Sequence, residues 1–186
     1  ATEDSISIRG LRVTNAVVGI DVTPLSSAQR FSASNVHVDG NTTGIRIFDS
    51  IGLMDVSIEN SVVTGNSGDG INIPSVGFAH LRNVMVSLNG QDGIDASNAE
   101  IVKLDTVTVD QNGGRGLLID SIETIAVTNL RTSANASGNL FLNSPVLHFK
   151  GVEGDVSNST TITSSEIQFD AGVGSPQQSI HPFCDG

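Results

Sequence analysis

A chain of 186 residues is long enough for one domain with a sizeable core. Nine Lys and Arg stand against twenty Asp and Glu, a formal charge of -11 that excludes nucleic acid and anionic membranes as natural partners. No apolar run reaches the length of a membrane span, and a single cysteine, Cys184, excludes an intrachain disulfide.

Twenty Gly and an abundance of Ser, Thr, Asn, Val and Ile, with no Trp or Tyr, suit short strands broken by polar turns. In chain order, Ile6 and Ile8 predict a strand that opens a partial first coil. A phrase of one small residue followed by apolar-x-apolar then recurs. It reads Gly19-Ile20-Asp21-Val22, Gly44-Ile45-Arg46-Ile47, Gly70-Ile71-Asn72-Ile73, Gly93-Ile94-Asp95-Ala96, Gly116-Leu117-Leu118-Ile119 and Asn139-Leu140-Phe141-Leu142. The steps are 25, 26, 23, 23 and 23 residues.

Four residues before these anchors lie Asn15, Asn66, Asn89, Asn112 and Asn135. The second coil has Gly40 at that place and Asn41 one later, and one further step of 23 from Asn135 reaches Asn158. Asn tolerates the left-handed backbone of a sharp corner, and stacked amides can bond coil to coil, so the column predicts an asparagine ladder. The anchor glycines are expected to let the backbone turn before each strand.

A third column holds Val56 and Ile58, Ala79 and Leu81, Val102 and Leu104, Ile125 and Val127, alternating with polar residues. A further strand follows at Val84 and Val86, then at Val107 and Val109. That is the period of half-buried strands, three to a coil. The reading is an all-β fold, a right-handed single-stranded parallel β-helix of about seven coils, each 23–26 residues. Leucine-rich repeats share the period, but the Leu framework and helical spacing are missing. Residues 1–170 are taken as the solenoid domain, with Leu147, Phe149, Ile167 and Phe169 expected inside an irregular last part. Residues 171–186 are taken as a tail or cap. No N-terminal cap is visible, so a preceding segment or a partner protein is expected to cover that end.

The phrase Asn-x-x-(Asp or Gly)-Gly-Ile-x-Ile, seen from Asn66 to Ile73 and with Ala96 last from Asn89 to Ala96, resembles the right-handed parallel β-helix repeat family of pectate-lyase-like topology. The resemblance covers roughly residues 5–145. It implies the fold and leaves the activity open, since the family holds polysaccharide lyases, hydrolases, epimerases, tailspikes and adhesins. The Asn-Thr-Asp, Asp-Asp and Gly-His-Gly phrases of its hydrolases and the Asp-Pro-His phrase of its epimerases are absent.

Ionisable residues concentrate on one outward face. Glu59, Arg82 and Asp105 form one column of alternating sign, and His80 stacks on Lys103 in the next. As a catalytic set, Lys103 or His80 removes a sugar-ring proton and Arg82 steadies the uronate carboxylate, with Glu59 and Asp105 as binding residues. The structural alternative is a surface ion-pair ladder. Asp69 and Asp92, each before an anchor glycine, are candidate ligands for a hard cation such as Ca²⁺; the alternative is that Asp suits the turn. Asp21 beside Arg46 reads as a cross-strand ion pair. Phe48 and Phe141 are candidate apolar contacts for a sugar. His37, His148 and His181 lack metal-ligand spacing. The sequons at Asn41, Asn135 and Asn158 are weak, because Asn135 and Asn158 fall on the ladder.

The expected function is a non-catalytic secreted or surface β-helix module, structural or adhesive, in contact with polysaccharide or with another protein at its ends. The alternative is a polysaccharide lyase, epimerase or hydrolase. The chain opens without a signal-peptide pattern, and the expected location is extracellular or the cell surface. No cofactor other than calcium is implied.

Overall fold

Apolar residues at every second position make each strand bury one side chain in two, so a chain of such strands must wrap around its own interior. The computed structural model describes residues 5–23, 30–49, 54–154 and 161–169. These contain β1 (Ser5–Arg9), β2 (Arg12–Thr14), β3 (Val18–Val22), β4 (Arg30–Ser34), β5 (His37–Asp39), β6 (Thr43–Ile47), β7 (Asp55–Thr64) and β8 (Ile71–Asn72). They continue with β9 (Phe78–Ser87), β10 (Ile94–Asp110), β11 (Leu117–Ser133), β12 (Leu140–Asn143), β13 (Val146–Lys150), β14 (Glu153–Gly154), β15 (Thr161–Thr163) and β16 (Glu166–Phe169).

Every pairing is parallel, and the result is a right-handed solenoid with three faces. The first face stacks β1, β4, the first half of β7 and of β9, the middle of β10 and of β11, then β13 and β16. The second face begins with β2 and β5, and the third with β3 and β6. The described residues make about six turns, slightly fewer than the seven or so expected.

Inside, like stacks on like. Val56, Ala79, Val102, Ile125 and Leu147 form one buried file, and Ile58, Leu81, Leu104, Val127 and Phe149 another. Full burial of such a side chain stabilises by roughly 1.5–3 kcal/mol. Ile167 packs partly on this core, while the side chain of Phe169 lies outside what is described.

The ladder runs through Asn41, Asn66, Asn89, Asn112 and Asn135, each no more than 3% exposed. The Oδ1 of each amide from Asn66 to Asn135 accepts from both the backbone N–H and the Nδ2 of the preceding Asn, at 2.9–3.1 Å. Each Nδ2 also donates to a backbone carbonyl one coil back, as Asn89 does to Val63 O at 3.4 Å. Asn15 does not belong to the ladder: it is exposed, and Ala16 fills that place with its N–H donating to Asn41 Oδ1. The first two corners have one residue fewer between ladder and glycine, so counting back from Gly19 lands one residue early. The left-handed backbone also sits elsewhere than expected, on the residue before each ladder Asn: Asn15, Gly40, Gly65, Leu88, Gln111 and Ala134. Asn158 lies outside the described residues. Asn135 instead donates to Asn139 Oδ1 in its own coil, at 2.8 Å from Nδ2. The sequons at Asn41 and Asn135 therefore both offer a buried, bonded amide, where a glycan does not fit.

The anchor glycines have a different cause from the one expected. Gly19, Gly44, Gly70, Gly93 and Gly116 do not take a positive φ. A Cβ on Gly93 would lie 2.6 Å from Val109 Cγ1, 2.7 Å from Asn112 Nδ2 and 2.7 Å from Gly116 O. Glycine is there because the ladder amide and the next coil's backbone occupy the side chain's space.

Among the described residues the N-terminal rung is open. β1, β2 and β3 pair on one side only among the described residues, and Ile6, Leu11 and Val17 are 40%, 49% and 77% exposed. The expected tail, residues 171–186 with His181 and Cys184, lies outside the described residues, as do residues 1–4.

Candidate functional site

Alternate residues of the first face point outward and make two columns. One runs Arg9, Ser34, Glu59, Arg82, Asp105, Thr128, Lys150. The other runs Ser7, Ser32, Ser57, His80, Lys103, Ala126, His148, Gln168. The five ionisable residues singled out from the sequence are thus on successive rungs of one face.

Arg82 Nη2 lies 2.7 Å from Glu59 Oε2. The guanidinium hydrogen bond holds the Glu59 carboxyl below the usual carboxylate range. Asp105 accepts instead from Thr106 Oγ1 at 3.1 Å, so the alternating column closes as an ion pair only at Glu59. Both partners are well hydrated, and exposed pairs contribute little. Arg82→Ala is therefore expected to leave the melting temperature within the scatter of ordinary surface substitutions; a large drop would show the pair to be structural.

His80 is half-buried, its ring centroid 6.1 Å from that of Phe78. Its Nε2 is buried without a hydrogen-bond partner. Burial, then the Lys103 ammonium, pushes its pKa below the ordinary imidazole value, so the ring is neutral at neutral pH. Lys103 is exposed beside it.

On the third face Arg46 grips Asp21 at 2.6 and 3.1 Å, as the spacing predicts. Asp69 Oδ1 accepts from Asp92 N at 3.1 Å and its Oδ2 from Asn72 Nδ2 at 3.0 Å, while Asp92 Oδ1 accepts from Arg115 N at 2.6 Å. These carboxylates satisfy backbone donors of the next coil. Among the described residues no group of three or more His, Cys, Asp or Glu side chains is arranged to hold a metal ion. Phe48 is 44% exposed. Phe141 is half-buried under the Arg115 guanidinium, 5.1 Å above its ring, a cation–π contact.

Asp95 was not singled out by sequence. Burial first, and the neighbouring Asp69 and Asp92 charges after it, raise its pKa despite hydrogen bonds from Ser97. A carboxyl raised in the folded state adds stability below its unfolded pKa of about 3.9 and loses it as pH rises through the folded value. Asp95→Asn is thus expected to raise the melting temperature at neutral pH, an advantage that vanishes in thermal scans below about pH 4. A lower melting temperature at neutral pH would overturn this.

Also missed were His148 and Lys150. They continue the two outward columns, past Ala126 and Thr128, and border a shallow depression with Thr128 and Gln168. On the first face the step into this coil is 22 residues, against 23 for the three before it, so counting on by the repeat misses them by one residue.

The model of the right-handed beta helix region matches residues 18–174. The chain belongs to the right-handed β-helix family. A solved relative in fold is the crystal structure of pectate lyase Pel9A, at 13% identity and a TM-score of 0.43. That similarity takes in 90% of this chain and 52% of that one, so the present chain spans about half its length. None of the curated proteins matches. Membership of the right-handed β-helix family fixes the scaffold and the outward columns; the chemistry rests on the side chains just described.

Proposed function

We propose that the chain is a non-catalytic secreted or surface-attached β-helix module, a rigid structural or adhesive element that touches polysaccharide on its first face. The observation that carries this reading is the arrangement of the described outward groups of that face. Its ionisable groups lie along parallel strands, and the depression beside His148 and Lys150 has a volume of only about 70 Å³. Small-molecule sites are typically roughly 300–1,000 Å³. A protein partner at the N-terminal end is supported by the edges of β1, β2 and β3, unpaired among the described residues, and by the exposed Ile6, Leu11 and Val17.

One observation favours the second reading, a polysaccharide lyase, epimerase or hydrolase. A neutral imidazole with an unpartnered Nε2 sits next to the Lys103 rung, with Arg82 two residues along. In that reading His80 or Lys103 takes the ring proton, Arg82 steadies the carboxylate, and Asp69 with Asp92 would hold calcium. The test is a screen on acidic and neutral polysaccharides, with and without Ca²⁺, read by unsaturated-uronate absorbance and by reducing ends. The module reading expects retention on polysaccharide without turnover. Turnover lost in Lys103→Ala or Arg82→Ala would replace it with the enzyme.

A further inference from the structure

In a chain of net charge -11, cations without an acidic partner are conspicuous. Arg12, Arg30, Arg46, Arg82 and Arg131 each lie in an ion pair with Asp39, Asp55, Asp21, Glu59 and Glu153 respectively. Arg9 bonds Ser34, and Arg115 covers Phe141. The sequence has two lysines, Lys103 and Lys150, and among the described residues neither makes an ion pair. Both project from the first face, two rungs apart, and His148 shares the rung of Lys150. The rung between them carries Ala126 and Thr128. Those short side chains form a saddle, and the depression lined by Thr128, His148, Lys150 and Gln168 opens beside it.

Parallel strands stack about 4.8 Å apart, so the two cationic rungs are separated by roughly 10 Å along the axis. An extended β-linked glycan advances by about one rung per sugar. Charge density separates the anionic polymers. Duplex DNA presents a charge every ~1.7 Å, which two sparse cations on an acidic body do not match. A glycan charged on alternate sugars does match.

We propose that this saddle binds an acidic glycan lying along the solenoid axis, one anionic group per disaccharide, with one anion at Lys103 and the next at His148 and Lys150. The inference rests on the polysaccharide-contact reading and deepens it by naming the ligand and the rungs. Carboxylate and sulfate share the chemistry of a singly charged oxyanion, which accepts charge-assisted hydrogen bonds from an ammonium.

The experiment is calorimetry on the full chain at low salt with four probes. They are hyaluronan oligosaccharides (one carboxylate per disaccharide), keratan sulfate oligosaccharides with one sulfate per disaccharide (like hyaluronan, β-linked throughout), oligogalacturonate (a carboxylate on every sugar) and neutral dextran. Binding is expected for the first, the second or both, which identifies the oxyanion, and to be stronger than for the other two. Lys103→Ala and Lys150→Ala should each weaken it about tenfold. Ala126→Glu, which puts a like charge on the saddle, should abolish it, and Arg131→Ala on the second face should leave it unchanged. Preference for dextran or oligogalacturonate, or indifference to both lysine substitutions, overturns the inference while glycan contact itself stands. Binding of no glycan at all removes both.

Discussion

Asn89→Ala is expected to destabilise the chain by about 2–6 kcal/mol, since each buried group left without a partner costs ~1–3 kcal/mol and about two are left so. The Asn89 Oδ1 takes the Asn66 N–H at 3.1 Å and its Nδ2 at 2.9 Å. The Asn89 Nδ2 serves Asn112 Oδ1 and Val63 O. Truncation orphans the Asn66 N–H, takes one of the two acceptors from Asn66 Nδ2, which keeps Val38 O at 3.3 Å, and removes a donor from Val63 O, all in a buried corner. Native stability is typically only about 5–15 kcal/mol, so this single change should shift the urea midpoint severely. Asn89→Asp separates shape from charge. It keeps the acceptor, loses the donor and buries a carboxylate, so it should be comparably unstable at neutral pH and partly recover in acid as the carboxyl protonates. A loss under about 1 kcal/mol for Asn89→Ala, the worth of an ordinary single hydrogen bond, would remove the ladder from the forces that hold this fold.

Gly93→Ala should cost on the order of 1–3 kcal/mol or more, because overpacking here meets backbone as well as side chain. The nearest atoms are Val109 Cγ1, Asn112 Nδ2 and Gly116 O, all within 2.7 Å of the added carbon. The carbonyl cannot retreat without breaking the rung above it, since Ile94 N donates to Gly116 O. Gly65 provides the contrast. Its φ is +63 and nothing lies within 4 Å of an added Cβ, so Gly65→Asn, a residue that tolerates that conformation, should be nearly neutral. Thermal melts distinguish the two, at roughly 2–4 °C per kcal/mol for a chain of this size. Equal effects at the two positions would mean that space is not what selects glycine at 93.

The strand phase was the most legible part of the chain. Between Val56 and Val127 the coils keep one spacing, so Glu59, His80, Arg82, Lys103 and Asp105 could be placed on a common face by counting. Counting fails where corner length changes, which puts Asn15 in the place of Ala16, and where the first-face step shortens to 22 residues ahead of His148 and Lys150. A second corner column, Asn35, Asn60, Asn83, Thr106 and Asn129, all at positive φ, went unread. Its signal was present in steps of 25, 23, 23 and 23 residues. It was obscured because Asn recurs at both corners, and periodicity alone does not say which Asn is buried. The burial of Asp95 and the pairing state of each cation depend on side-chain reach, which no spacing encodes.

Two ladder residues are followed by glycine, Asn89–Gly90 and Asn112–Gly113. In a flexible chain that dipeptide ages readily, because the glycine nitrogen attacks the asparagine side-chain carbonyl and the amide leaves as ammonia. Here the Gly90 and Gly113 nitrogens are held on Asn66 O and Asn89 O at 2.8 Å, and each amide oxygen is fixed by the preceding coil. The attacking nitrogen is not free to swing onto its target. Chemical decay at these two sites therefore waits on opening of the coil, and the shelf life of the molecule is set by how seldom its ladder unzips.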